Sequence, residues 1–88
     1  MDSFNYTHIS GAVTAQNVCP LPCYLKRIVV GKPIAVGTIT VLDGVTTIAS
    51  ILVPTTAANP FNIDFDCNVG KLNITTTGTG QDITVVYK

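Results

Sequence analysis

Three thiols, one imidazole and a spaced pair of carboxylates are the groups in this 88-residue chain whose types could do chemistry: Cys19, Cys23, Cys67, His8, Asp64 and Asp66. A structural zinc site takes four nitrogen or sulfur ligands, and the three cysteines with His8 reach that number on paper. Pro20 and Pro22 interrupt a C-x3-C spacing that is already poor for a chelate, so no metal is expected. A catalytic triad needs a nucleophile, a base and an orienting carboxylate within hydrogen-bond reach. His8 has no acidic neighbour in sequence, and nothing gives the thiols the electropositive setting that activates a cysteine. No catalytic residue and no cofactor are expected, and the chain does not read as an enzyme.

An odd number of cysteines cannot form a closed intrachain disulfide framework. Reduced thiols are the expected state in a protein assembled inside a cell. A Cys19–Cys23 or a Cys23–Cys67 bridge remains open to it after release. Asp64 and Asp66 fall on one face of a strand, about 7 Å apart by strand rise. That separation suits a glycosidase pair or part of a calcium site. Calcium, however, wants more oxygen ligands in one loop, and a half-buried strand needs polar residues on its wet face in any case. Gly78-Thr79-Gly80 is half of a nucleotide-binding G-x-G-x-x-G loop, but Ile83 stands where the third glycine belongs and no helix follows. Asn5-Tyr6-Thr7 and Asn73-Ile74-Thr75 match the glycosylation acceptor pattern, as chance allows in a chain with 13 threonines.

These groups are expected to be carried on strands. The chain holds 13 Thr, 11 Val and 9 Ile, and no Glu. β-Branched side chains fit a pleated sheet and lose χ1 freedom in a helix. Only 11% of the residues are charged, against about 25% in an ordinary soluble domain. A chain of this size buries only about 60–65% of its unfolded surface, so a marginal core and a surplus of uncharged surface point to burial against other protein. The net charge is zero, which lacks the electrostatic footprint of a nucleic-acid binder. No apolar run approaches the ~20 residues of a membrane helix. Neither nucleic acid nor membrane is therefore an expected partner. The start, Met1-Asp2-Ser3-Phe4-Asn5, has neither region of a signal peptide, and synthesis in a cytoplasm is expected.

One all-β domain spanning 1–88 is expected, a compact antiparallel sandwich or barrel of about seven to eight short strands. Residues 1–17 read as an arm with a weak leading strand at 8–14, and 15–23 as a proline-bearing loop. The core covers 24–88, with strands at 24–30, 36–42, 46–53, 61–66, 71–77 and 82–88. Asp43-Gly44 predicts a type I′ hairpin. Gly31-Lys32-Pro33, residues 54–60 and Asn68-Val69-Gly70 predict turns and a connection, and Gly78-Thr79-Gly80-Gln81 predicts a second hairpin. In 61–66, Phe61, Ile63 and Phe65 alternate with Asn62, Asp64 and Asp66, a core face against a wet one. Lys26 and Arg27 are expected on opposite faces. Phe4, Tyr6, Ile9, Tyr24 and Tyr87 are the candidate interface residues.

Leu25-Lys26-Arg27-Ile28-Val29-Val30, Gly37-Thr38-Ile39-Thr40-Val41-Leu42-Asp43-Gly44, Pro60-Phe61-Asn62-Ile63-Asp64-Phe65, Gly70-Lys71-Leu72-Asn73-Ile74 and Ile83-Thr84-Val85-Val86-Tyr87 carry a resemblance over residues 24–88. In strand rhythm and turn positions the chain resembles small β-sandwich virion structural proteins of tailed bacteriophages. The resemblance implies a capsid decoration (cement) or head-fibre protein. Such a protein is made in host cytoplasm and located in the virion, commonly as a homotrimer bound to the major capsid protein or other virion proteins. A tail or fibre module that recognises a host-surface receptor or glycan is the alternative.

Overall fold

The computed structural model describes residues 3–31, 37–53, 60–78 and 81–88. The expected turn at 32–33, most of the 54–60 connection and Thr79-Gly80 lie outside them. Eight strands form: β1 (Asn5–Ser10), β2 (Val13–Cys19), β3 (Cys23–Val30), β4 (Gly37–Asp43), β5 (Thr46–Val53), β6 (Phe61–Val69), β7 (Leu72–Thr76) and β8 (Asp82–Tyr87). They make two four-stranded antiparallel sheets packed together, ordered β1-β8-β3-β6 and β2-β7-β4-β5. The molecule measures 34 × 30 × 17 Å, and two sheets about 10 Å apart with their outward side chains fill the short dimension.

Period-2 alternation explains which side of each strand is dry. Leu25, Ile28, Val30, Ile83 and Val85 from the first sheet meet Ile39, Val41, Leu72 and Ile74 from the second, all fully buried. Phe61, Ile63 and Phe65 pack against this core while Asn62, Asp64 and Asp66 face solvent, as the alternation in β6 requires.

Several local expectations change. Residues 5–19 are two edge strands, one in each sheet: β1 pairs with β8 and β2 with β7. Gly11, expected within a strand, has φ +77 and turns the chain from one sheet to the other, a backbone shape glycine adopts at little cost. The loop expected over 15–23 shrinks to Pro20-Leu21-Pro22, because β2 runs to Cys19. β4 and β5 do form a hairpin, but its turn residues are Gly44 and Val45. Only Gly44 has positive φ, the pattern of a II′ rather than a I′ turn. The segment after Thr76 is not a hairpin, since β7 and β8 belong to different sheets. Lys26 and Arg27 do not point to opposite faces. A bulge gives β3 one extra residue against β8, so Leu25 and Ile28 both face inward and the two basic side chains share the outer face.

Candidate functional site

Charge is divided unevenly between the two sheets, as the alternation of each strand dictates. The outer face of β1-β8-β3-β6 carries His8, Asp82, Lys26, Arg27, Asp64 and Asp66, already arranged in pairs. His8 Nε2 meets Asp82 Oδ1 at 2.5 Å. Lys26 Nζ donates to Asp66 Oδ1 at 2.7 Å, and Arg27 Nε lies 3.6 Å from Asp64 Oδ1. The β2-β7-β4-β5 sheet holds one charged side chain in all its strands, Asp43 at the end of β4, which accepts the Lys71 N–H.

The outer face of that second sheet is laid out in lateral rows by the strand register. Thr75, Thr40 and Ser50 form one row across β7, β4 and β5. Asn17, Asn73, Leu42 and Thr47 form the next, across all four strands. The polar groups are partly tied to each other. Asn17 Nδ2 donates to Asn73 Oδ1, Asn73 Nδ2 to the Gly44 carbonyl, and the Ala15 N–H to Thr75 Oγ1. The result is a neutral face of hydroxyls, amides and methyls, with few rotamer-rich side chains to immobilise on contact.

The four edges of the sandwich are unequally defended. Natural sheets protect an edge with charges, bulges or short strands, because unpaired backbone groups recruit other chains. β6 carries Asp64 and Asp66; β1 is six residues long and carries His8. β2 is broken by two register shifts and by Ala15 in the left-handed region, φ 45. β5, TTIASILV, has no charge and no proline. Its one irregularity sits at Ile48, after which Ala49–Val53 stay in unbroken register with β4. Among the described residues no strand pairs with its far side. Ile48 is exposed beside it, and Val45 at the adjoining turn is 95% exposed.

A second feature lies at one end of the sandwich. A shallow groove of about 490 Å³ is lined by Pro22, Cys23, Tyr24, Asn68, Val69, Gly70 and Lys88. Main-chain bonds in both directions between Tyr24 and Lys88 pin the last residue there. Lys88 Nζ lies 5.1 Å from the Phe4 ring centre and 5.8 Å from that of Tyr24, cation–π range for both. Of the three thiols Cys23 lines the groove, and Cys19 and Cys67 are near enough to Cys23 to act on it. The Cys23 thiol is pushed up to about 12 by burial, by its hydrogen bond with Cys19, and by the charges of Cys19, Asp43 and Cys67. Among the described residues no group of three or more His, Cys, Asp or Glu side chains could hold a metal ion. His8 stands on the outer face with Asp82 rather than among the thiols.

Of the candidate interface residues, Phe4 and Tyr6 are exposed and Tyr24 borders the groove. Tyr87 is half-buried against the core. Ile9 is 2% exposed and belongs to the core itself, because β1 turns that residue inward toward the opposite sheet. Sequence reasoning missed the His8–Asp82 pair: the partners are 74 residues apart and meet only through β1–β8 pairing.

Asp66 lends itself to a pH test. The Lys26 ammonium, then the Tyr24 hydroxyl donating at 2.9 Å, hold its carboxyl below the usual carboxylate range, and Asp66 in turn raises Lys26 and Tyr24. A depressed carboxyl contributes stability that is present above its unfolded value of about 4 and lost as pH falls through the lower folded value. The raised Lys26 and Tyr24 contribute stability that is present below their unfolded values and lost as pH rises through the folded ones. Asp66 has φ 52, which asparagine tolerates, so Asp66→Asn keeps the local backbone shape. Urea titrations across pH should show both limbs flattened in that variant, by a small margin because the pair is exposed.

The fold and these surfaces define the class: a small two-sheet antiparallel β-sandwich with one charged face and one neutral one. No protein-family model, no curated protein and no solved structure matches the chain.

Proposed function

We propose that the chain is a self-assembling structural module whose role is to cover and reinforce a larger protein shell. The supporting observation is the neutral sheet β2-β7-β4-β5 ending in β5, which carries no charge and pairs on its far side with no strand among the described residues. Contacts repeated between identical copies favour a surface without like charges to oppose, and a small domain with a marginal core gains from burying such a face. Together with the resemblance over residues 24–88, this favours a capsid decoration protein of a tailed bacteriophage, acting as a homotrimer on the outer shell. The mechanism is mechanical: a protein that binds only the assembled shell stabilises that state by mass action. Three copies in a ring require β5 to meet a different surface of the next copy, whereas β5 against β5 is a two-fold contact and gives a dimer.

The test is cosedimentation of the purified chain with DNA-free shells of the major capsid protein encoded in the same genome, with host cells as the parallel arm. Saturable binding to shells, with a raised melting temperature of the shells, is the expected outcome. Binding to cells or to purified surface glycans, with none to shells, would overturn it in favour of a receptor-recognising tail or fibre module.

A further inference from the structure

We propose that Cys19 and Cys23 form a thiol–disulfide exchange site, which closes on oxidation into a covalent tie between the two sheets. β2 ends at Cys19 in one sheet and β3 begins at Cys23 in the other, with only Pro20-Leu21-Pro22 between them. Beside this crossing runs a second one, Gly70-Lys71, since Cys19 is paired with Leu72 and Cys23 with Val69. Two tight crossings side by side hold Cys19 and Cys23 at one corner of the sandwich, with three residues between them along the chain. Cys19 Sγ also lies 3.1 Å from the Leu21 carbonyl oxygen.

Register disfavours the rival bridge. Leu25, not Cys23, stands opposite Cys67, so Cys23 and Cys67 are diagonal neighbours. Diagonal neighbours in an antiparallel pair are about 7–8 Å apart, somewhat less between Cβ atoms, while the Cβ atoms of a disulfide stand about 3.8 Å apart. Cys67 is therefore left out of the proposed bridge.

Access and acidity order the two steps. Cys19 is half-buried and Cys23 buried, and the high value of the Cys23 thiol makes it a poor first nucleophile. With a low-molecular-weight disulfide as oxidant, the Cys19 thiolate attacks one sulfur of that disulfide. The oxidant's S–S bond breaks, a mixed disulfide forms on Cys19, and one small thiolate leaves and takes up a proton. Cys23 then gives up its proton and attacks the Cys19 sulfur. The Cys19–Cys23 bond forms and the second small thiol leaves. The protein loses two hydrogens and the oxidant gains them. A reducing cytosol keeps the corner open, and an oxidising medium outside the cell closes it.

The experiment is incubation of the full chain with oxidised glutathione, followed by alkylation and peptide mass mapping. The expected product has one alkylated thiol, at Cys67, and an internal Cys19–Cys23 linkage two hydrogens lighter than the reduced peptide. In Cys23→Ser the reaction should stop at a stable glutathione adduct on Cys19, and Cys67→Ser should close as wild type does. Three alkylated thiols after prolonged oxidation, a Cys23–Cys67 linkage, or a first adduct on Cys67 would each overturn the assignment. The wild-type map decides even if a variant fails to fold, and every outcome is independent of shell binding.

Discussion

Gly37→Ala should destabilise the fold by about 3–5 kcal/mol, the sum of backbone strain, overpacking and a weakened buried hydrogen bond. Gly37 opens β4 with φ +154, a conformation side chains rarely adopt. A Cβ there would overlap the Thr77 carbonyl oxygen and stand 2.7 Å from Gln81 Nε2. Neither neighbour is free to yield. The Thr77 carbonyl accepts from Gln81 Nε2 at 2.9 Å, and Thr77 is bonded to Thr38 through both main chain and hydroxyl. Gln81 is 1% exposed, so displacing it costs a buried amide its partner. Gly11→Ala is the control: φ is +77 but nothing lies within 4 Å of the added methyl, leaving only the left-handed strain of about 1–2 kcal/mol. Equilibrium unfolding in urea checks the pair. Equal losses would mean that the close approach of β4 to Thr77 is wrong.

Ser50→Lys should abolish self-association while leaving the monomer folded. Ser50 is exposed in the uninterrupted half of β5, opposite Thr40, so a lysine there reaches solvent without disturbing the core. Edge lysines are the usual defence against strand addition, and any copy that docks on this edge would have to desolvate the new charge. The same change at Asn62, exposed on β6 at the already charged edge of the other sheet, should leave association unaltered. Analytical ultracentrifugation of the two variants separates edge pairing from a general effect of charge. If both variants or neither lose association, β5 is not the contact.

What could be read from the sequence was whatever depends on local periodicity. The alternation in Phe61–Asp66 assigned its faces correctly, and the β-branched composition and closely spaced turn signals gave the fold class. Periodicity fails where one residue is inserted: the bulge at Lys26 put it and Arg27 on one face. Turn residues mark where a strand ends but not whether the chain stays in its sheet, so the segment after Thr76 read as a hairpin when it crosses to the other layer. Ile9 read as an interface residue because its weak strand gave no clue to which face was dry. The neutral face and the His8–Asp82 pair depend on long-range strand pairing, which local spacing does not encode.

An assembly surface made of the neutral sheet and its β5 edge, as proposed, has a direct consequence for the size of the protein in solution. The most direct test is the solution mass of the wild-type protein by light scattering, over a range of concentrations with reductant present. The expected result is a stable multiple of the 9.3 kDa chain mass, three-fold for a ring and two-fold for β5 against β5, reduced to a single chain mass in Ser50→Lys. A well-folded wild-type protein of 9.3 kDa at every concentration would contradict it.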